Sequence, residues 1–129
     1  MSTPAETGLQ RWHAVVESRD PARLPAMITP DAVFRSPAVH TPQVGRDVVC
    51  AYLGAALVVL GPELTYTDTW QREHDAVLHF RTVVDGLEVD GIDMITWDDD
   101  GLITEFTVMV RPFKALEALI AAMGKQLFS

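Results

Sequence analysis

The chain has 129 residues, 48% of them hydrophobic and 22% charged, and a net charge of −8. This length and composition exclude a disordered chain and fit one globular domain, which we expect to span residues 1–129. Lysines and arginines are scattered singly, so the sequence lacks the basic stripe of a nucleic-acid binder, and its negative charge opposes an acidic membrane surface. With no signal-peptide pattern, no membrane-spanning apolar run and a single Cys50, it predicts a cytoplasmic protein.

The N-terminal part is predicted to form two helices. Residues 3–16 open with a capping box and continue with apolar residues at helical spacing, which predicts an amphipathic helix. A second cap signal predicts a shorter helix over residues 20–27, although Pro25 would remove one of its backbone hydrogen bonds. Residues 29–31 are predicted to be a break.

The middle of the chain is predicted to contain a short strand and a long helix. Residues 32–36 have strand character and stop at a proline, and residues 37–44 form a proline-rich loop that carries His40. Apolar residues then recur at helical spacing over residues 45–60, on a wide face that predicts a buried helix.

The second half changes to the two-residue period of β-strands. Asp-Gly pairs favour tight reversals at 85–86 and within 98–101, which predicts an antiparallel meander. A last helix is predicted from Pro112 to a stop at Gly124. The predicted strands are 65–73, 76–84, 87–97 and 102–111.

These elements predict an α+β fold. A twisted antiparallel meander must cover its apolar face, and three to four helices are available to do so. We therefore expect a conical, barrel-like arrangement in which the sheet wraps around the helices and encloses a hydrophobic pocket.

One residue in the meander breaks the apolar pattern. On the strand 87–97, Asp93 shares its phase with Val89, Ile95 and Trp97, so its carboxyl should point to the inner face. Burial would raise its pKa, as is typical of acid–base residues in clefts. The alternatives are a bulge that turns Asp93 outward or a structural carboxylate held by backbone donors.

Two histidines are candidate partners of Asp93, namely His13 beside the apolar face of the first helix and His40 in the loop. His79 falls on the opposite face of its strand, and the four histidines have no metal-ligand spacing, so we expect no metal. Aromatic residues, including Trp70, are expected to build the core and the pocket walls. The residues expected to line the pocket are Trp12, Phe34, Ser36, Tyr52, Leu53, Val89, Ile95, Phe106, Val108 and Val110.

The element order and three segments resemble the nuclear transport factor 2-like superfamily, and within it the SnoaL-like group of polyketide cyclases and ketosteroid isomerase relatives. The segments are residues 89–103 (VDGIDMITWDDDGLI), 31–37 (DAVFRSP) and 44–46 (VGR). The resemblance covers nearly the whole chain, and it implies a small-molecule pocket that needs no cofactor.

Residue by residue, the resemblance argues against two reactions. Asp93 matches the protonated, hydrogen-bond-donating Asp of ketosteroid isomerases, but the base position holds Ser36 and the tyrosine position holds Trp12. Steroid isomerisation is therefore not expected. Limonene-epoxide-hydrolase relatives have an arginine where this chain has Gly91, which argues against epoxide hydrolysis.

Three functions remain open. The first is a cofactor-independent, isomerase- or cyclase-like enzyme that acts on an apolar carbonyl compound through Asp93, with His40 or His13 as partner. The second is a domain that binds a small hydrophobic ligand without chemistry. The third is an association domain with a vestigial pocket.

The outer face of the sheet is predicted to be a homodimer interface, because too many apolar side chains share the outward phase for a solvated surface. These residues are Val77, Val83, Ile92, Met94, Ile103 and Met109.

Overall fold

The computed structural model describes residues 2–128, in which three α-helices surround one face of a six-stranded sheet. The helices are α1 (Pro4–Ser18), α2 (Arg46–Leu60) and α3 (Phe113–Phe128), and two 3-10 turns, Pro21–Arg23 and Pro25–Met27, follow α1. The strands are β1 (Ile28–Arg35), β2 (Gln43–Val44), β3 (Thr65–Gln71), β4 (Asp75–Val84), β5 (Leu87–Trp97) and β6 (Ile103–Arg111).

The sheet has the order β2-β1-β6-β5-β4-β3. The four strands from β3 to β6 are neighbours in sequence and pair antiparallel, which confirms the predicted meander. Both Asp85 and Gly86 have positive φ, the backbone that a two-residue hairpin requires. β1 joins the other side of β6 in parallel, so the sheet is mixed. The α+β prediction is confirmed, and the sheet is open rather than a closed barrel.

α1 lies directly against the inner face of β5. A side chain at Gly8 would place its Cβ 2.2 Å from Nε1 of Trp97, so only glycine allows this approach. The contact brings Leu9 and Trp12, on the same face of α1, into the core. The close packing of α1 against β5 thereby fixes the position of the Trp12 indole over the sheet.

The predicted second helix is wrong. Residues 21–27 form two separate 3-10 turns, because Pro25 has no N–H to continue a helical ladder. The chain then enters β1 at Ile28, four residues before the predicted start, and pairs with Ile103 of β6. This tertiary pairing overrides the local break signal of Pro30.

Two other boundaries also differ from the sequence prediction. The predicted loop contains β2, whose Gln43 pairs with Phe34 of β1. α3 continues through Gly124 to Phe128, because this glycine lies inside the helix rather than at its C-cap. The cost of a glycine within a helix is about 1 kcal/mol, too little to end a helix that packs on the sheet.

Two irregularities in the sheet reverse the expected facing of nearby residues. The register shifts between Tyr66 and Asp68, so Trp70 pairs with the outward Val77 and is 60% exposed instead of lying in the core. A second shift next to Trp97 turns Ile103 inward, where it is fully buried. The placement of Ile103 on the outer face was therefore wrong. Among residues 2–128, no helix has the length and apolar character needed to cross a bilayer.

Candidate functional site

An apolar cavity of about 240 Å³ lies between the inner face of the sheet, α2 and α3. The segment that follows β1, residues 36–39, contributes to its wall, as do the last turns of α3. Nearly all of the lining side chains are aliphatic or aromatic, and Asp93 is the one carboxyl among the described lining residues. The cavity is therefore an apolar space with one acidic group in its wall.

The alternation of β5 places Asp93 in this wall. Its neighbours in register are Leu78 on β4 and Val108 on β6, and the residue is only 3% exposed. Burial disfavours the charged form and raises the pKa of Asp93 to about 7, although a hydrogen bond from Tyr66 opposes the rise. At neutral pH the acid and the carboxylate are thus present in comparable amounts.

A chain of hydrogen bonds connects Asp93 to α1. The Tyr66 hydroxyl donates to Oδ2 of Asp93 at 2.7 Å, and Nε1 of Trp12 donates to the Tyr66 oxygen at 2.9 Å. Burial, followed by the nearby charge of Asp93, raises the pKa of Tyr66 well above its usual value, so Tyr66 stays a neutral donor. Within residues 2–128, Oδ1 of Asp93 has no hydrogen-bond partner, and it is the oxygen available to a ligand.

Seven of the ten residues predicted to line the pocket do lie in the cavity wall with Asp93. Three do not. Ile95 is packed inside the larger core cluster, and Val89 and Val110 belong to the smaller cluster beneath α3. Their side chains point to the inner face as predicted, but helix residues cover them. The seven wall residues are Trp12, Phe34, Ser36, Tyr52, Leu53, Phe106 and Val108.

The histidines lie outside the described cavity wall. His13 is on the exposed side of α1, where its ring meets Tyr66 edge-on at 5.4 Å and partial burial lowers its pKa. His40 is exposed in the loop after β1. His79 faces outward, as predicted, and its ring hydrogen-bonds to Asp90 and Thr67. The structure therefore does not bring His13 or His40 to the Asp93 carboxyl.

Sequence reasoning missed Tyr66, the direct partner of Asp93. It lies on the predicted strand 65–73 in the same phase as Trp70, which was expected in the core, and this shared phase was the signal that could have placed Tyr66 inward. The register shift after Tyr66 leaves Tyr66 opposite Phe80 and turns Trp70 outward. Other wall residues that were not predicted to line the pocket are Phe80 and, on α3, Leu116, Leu119, Ile120 and Met123.

Metal binding finds no support in the described part of the chain, since residues 2–128 contain no group of three metal-ligating side chains close enough to share an ion. The chemistry that the arrangement offers is that of one carboxyl with a pKa near neutrality. As an acid it donates a hydrogen bond to an acceptor, and as a carboxylate it accepts a proton.

The structure is thus an α+β fold with an open mixed sheet, helices on one face and an acidic group in an apolar cavity. The model of the SnoaL-like domain matches residues 9–106, and the chain belongs to this family. The fold and the family support a small-molecule-binding or isomerase-like protein.

Solved structures agree with this assignment. A structure of a steroid delta-isomerase from Pseudomonas aeruginosa is 40% identical, with a TM-score of 0.92, and the match covers 98% of this chain and 93% of that one. A protein with a cystatin-like fold from Silicibacter pomeroyi is 33% identical, with a TM-score of 0.85 and coverage of 92% and 84%. RV0760c from Mycobacterium tuberculosis, in complex with estradiol-17beta-hemisuccinate, shares the fold at 16% identity, with a TM-score of 0.68 and coverage of 88% and 98%. A comparison with curated proteins finds no match.

Proposed function

We propose that the protein binds a small apolar carbonyl compound in this cavity and moves a proton on it through Asp93. The observation that carries the proposal is the Asp93 carboxyl itself, which is buried in an apolar wall and has an unpartnered oxygen and a pKa of about 7. A pKa near the working pH is what general acid–base catalysis favours.

The acid form of Asp93 would hold the ligand. A protonated carboxyl in an apolar site donates a strong hydrogen bond to a carbonyl oxygen and stabilises negative charge that develops there. The Tyr66 hydroxyl occupies Oδ2, so the ligand would meet Oδ1. The apolar wall would bind the rest of the compound by excluding water.

For the enzyme, the carboxylate form would be the base, and the apolar wall would hold the compound, because a carboxylate cannot donate a hydrogen bond to the carbonyl. In an unsaturated ketone it can take a proton from the carbon beside the carbonyl and return it at the far end of the conjugated system, which moves the double bond without a cofactor. Of the two histidines, His40 directly follows the wall segment 36–39, although its side chain lies outside the wall. We therefore keep His40 ahead of His13 as a partner of Asp93.

The cavity volume favours a ligand of one or two rings. A cavity of about 150 Å³ holds benzene, whereas drug-sized ligands occupy about 300 Å³ or more. The value here, about 240 Å³, falls between them. One of the similar structures is a steroid delta-isomerase and another is in complex with estradiol-17beta-hemisuccinate, so steroids belong in the first screen. Ser36 and Trp12, at the base and tyrosine positions of the isomerases, argue against isomerase chemistry on them.

Binding without chemistry is the second candidate function. It is favoured by the absence of a second carboxyl or a histidine among the described wall residues, since many proton transfers between carbons use more than one group. The two candidates differ in which protonation state of Asp93 does the work.

Thermal-shift and turnover assays with a panel of small cyclic unsaturated ketones and steroids would test both candidates. For the enzyme we expect a saturable rise in melting temperature and a turnover that Asp93→Asn abolishes. Asp90→Asn is the matched control, because Asp90 lies on the same strand but faces outward, where it bonds His79. Stabilisation without turnover in the unaltered protein would leave only binding, and no stabilisation by any compound would reject both.

We also propose that the protein is a cytoplasmic homodimer that associates through the outer face of the sheet. The support is a partly exposed apolar patch on adjacent strands that contains Val77, Ile92, Met94 and Met109. Met94 and Met109 are 39% and 53% exposed, and the exposed Trp70 adjoins Val77 at the edge. The unpaired Cys50 fits a reducing compartment.

A further inference from the structure

We infer that the cavity also binds small apolar amines as ammonium ions, with the Asp93 carboxylate as counter-ion and aromatic rings around the charge. The inference rests on the proposed function, because it uses the same cavity and the same carboxyl. It adds a ligand class of the opposite hydrogen-bonding character, since a ketone only accepts hydrogen bonds and an ammonium ion only donates them.

The first argument is the missing counter-charge of Asp93. A buried carboxylate is normally paired with a cation, because an isolated buried charge is costly. Asp93 is 3% exposed, yet within residues 2–128 its hydrogen-bond partner is the neutral hydroxyl of Tyr66. No lysine, arginine or histidine occurs among the described residues of the cavity wall. A ligand with its own positive charge would supply the counter-charge that the cavity wall lacks.

The second argument is the aromatic character of the wall. Cations are attracted to the faces of aromatic rings within about 6 Å of the ring centroid, and the attraction grows when water is excluded. Two pairs of rings are in contact in the wall, Trp12 tilted against Phe106 with centroids 5.0 Å apart and Phe34 stacked on Tyr52 with centroids 5.3 Å apart. The net charge of −8 also draws cations toward the protein.

The titration of Asp93 should make the preferred ligand class depend on pH. With a pKa of about 7, Asp93 is mainly an acid at pH 6 and mainly a carboxylate at pH 8. An alkylammonium ion, like that of lysine, stays charged at both values. α3 contributes only apolar groups to the wall. The direct neighbours of Asp93 are Tyr66 on β3, Leu78 on β4 and Val108 on β6. Beyond them, Trp12 and His13 of α1 contact Tyr66, and Tyr52 of α2 lines the same cavity.

The test is isothermal titration calorimetry with cyclohexylamine and cyclohexanone, which share a ring and differ in the polar group. From pH 6 to pH 8 we expect the affinity for the amine to rise roughly tenfold and that for the ketone to fall roughly tenfold, following the ionised fraction of Asp93. Repeating each titration in buffers of different ionisation enthalpy gives the number of protons that the protein takes up or releases when the ligand binds. Amine binding at pH 6 should release protons, and ketone binding at pH 8 should take them up.

The substitution Asp93→Asn separates the two ligand classes. The amide still donates to a ketone, so ketone binding should persist and lose its pH dependence. Amine binding at pH 8 should weaken at least about tenfold, because its charged partner is gone. The outward-facing control Asp90→Asn should leave both affinities unchanged.

Binding of the ketone without the amine at either pH would overturn the inference and leave the proposed function standing. Amine binding that releases no protons at pH 6 would also overturn it, and this measurement needs no variant. If neither compound binds the unaltered protein, the ligand chemistry of the proposed function fails, and the amine inference fails with it.

Discussion

Asp93 is an acid whose pKa rises on folding, and this makes the stability of the protein depend on pH. The pKa rises from 3.8 to about 7, and at about 1.4 kcal/mol per unit this amounts to about 4 kcal/mol. Below pH 4 Asp93 is protonated in both the folded and the unfolded state, so its burial as an acid does not lower the free energy of unfolding. Between about pH 4 and pH 7 the unfolded chain loses the proton first, so the free energy of unfolding falls as pH rises.

Asp93→Asn should remove this pH dependence. The amide resembles the neutral acid and its oxygen can still accept from Tyr66, so the variant should be more stable than the unaltered protein at pH 8. Urea denaturation at pH 5 and pH 8 measures the difference. A fall in unfolding free energy between these pH values that is equally large in both proteins would show that Asp93 is not its source.

Tyr66→Phe should raise the pKa of Asp93 further. The lost hydrogen bond favoured the carboxylate, and the Trp12 N–H would be left without its acceptor, at a cost of about 1–3 kcal/mol. NMR titration of the carboxyl measures the first effect, and chemical denaturation the second. Tyr52→Phe is the control, because Tyr52 lines the same cavity and stacks on Phe34. Equal effects of the two variants would contradict the prediction.

At the residue scale, the sequence predicts the side-chain direction of Asp93 better than that of its partner Tyr66. β5 alternates without interruption around Asp93, so its inward direction follows from the two-residue period alone. Tyr66 shares its phase with Trp70, but the extra residue between Tyr66 and Asp68 separates the two directions, so Tyr66 faces the cavity and Trp70 faces outward. A bulge is set by pairing across strands, which a local pattern does not contain.

At the scale of elements, two glycines should respond oppositely to alanine. On β5, a Cβ at Gly91 would lie 2.5 Å from Cζ of Phe80 and 2.6 Å from the backbone oxygen of Met109, so Gly91→Ala should destabilise by about 1–3 kcal/mol. In α3, no atom lies within 4 Å of a Cβ at Gly124, so Gly124→Ala should stabilise by about 0.5–1 kcal/mol. Thermal and urea denaturation measure the stability of both variants. A change of the same sign in Gly91→Ala and Gly124→Ala would contradict the prediction.

The helices and the meander are predictable because each depends on its own local pattern. α1, α2 and β3 to β6 follow the caps, spacings and Asp-Gly turns present in the sequence. β2 and the first half of β1 are not predictable in this way, since β1 crosses Pro30 and is held by its parallel pairing with β6. Parallel partners lie far apart in the chain, and no short-range signal specifies them.

At the scale of the whole molecule, we expect a dimer that a charge on the outer sheet face disrupts. Met109→Asp would bury an unpaired carboxylate in the interface and should weaken association by about 2 kcal/mol or more. Val58→Asp is the control, because Val58 is 58% exposed on α2, away from the sheet. Light scattering at micromolar concentration reports the mass. A monomeric mass for the unaltered protein, or equal effects of the two substitutions on the mass, would contradict the dimer proposal.

The one-domain proposal predicts a single cooperative unfolding transition. The two hydrophobic clusters meet at shared residues, Tyr66 and Val108, so they should unfold together. Fluorescence and far-ultraviolet circular dichroism should therefore give coincident urea curves. Two separated transitions would mean that the clusters behave as independent units.

The position of Trp12 gives the protein an internal optical reporter. Its indole lines the cavity and donates to Tyr66, which in turn touches the carboxyl that changes charge near pH 7. Of the other two tryptophans, Trp97 is buried beneath α1 and Trp70 is exposed on the far face, so Trp70→Phe would leave an emission spectrum dominated by enclosed indoles. Filling of the cavity, or ionisation within it, could then be followed in real time with neither a label nor a coloured substrate.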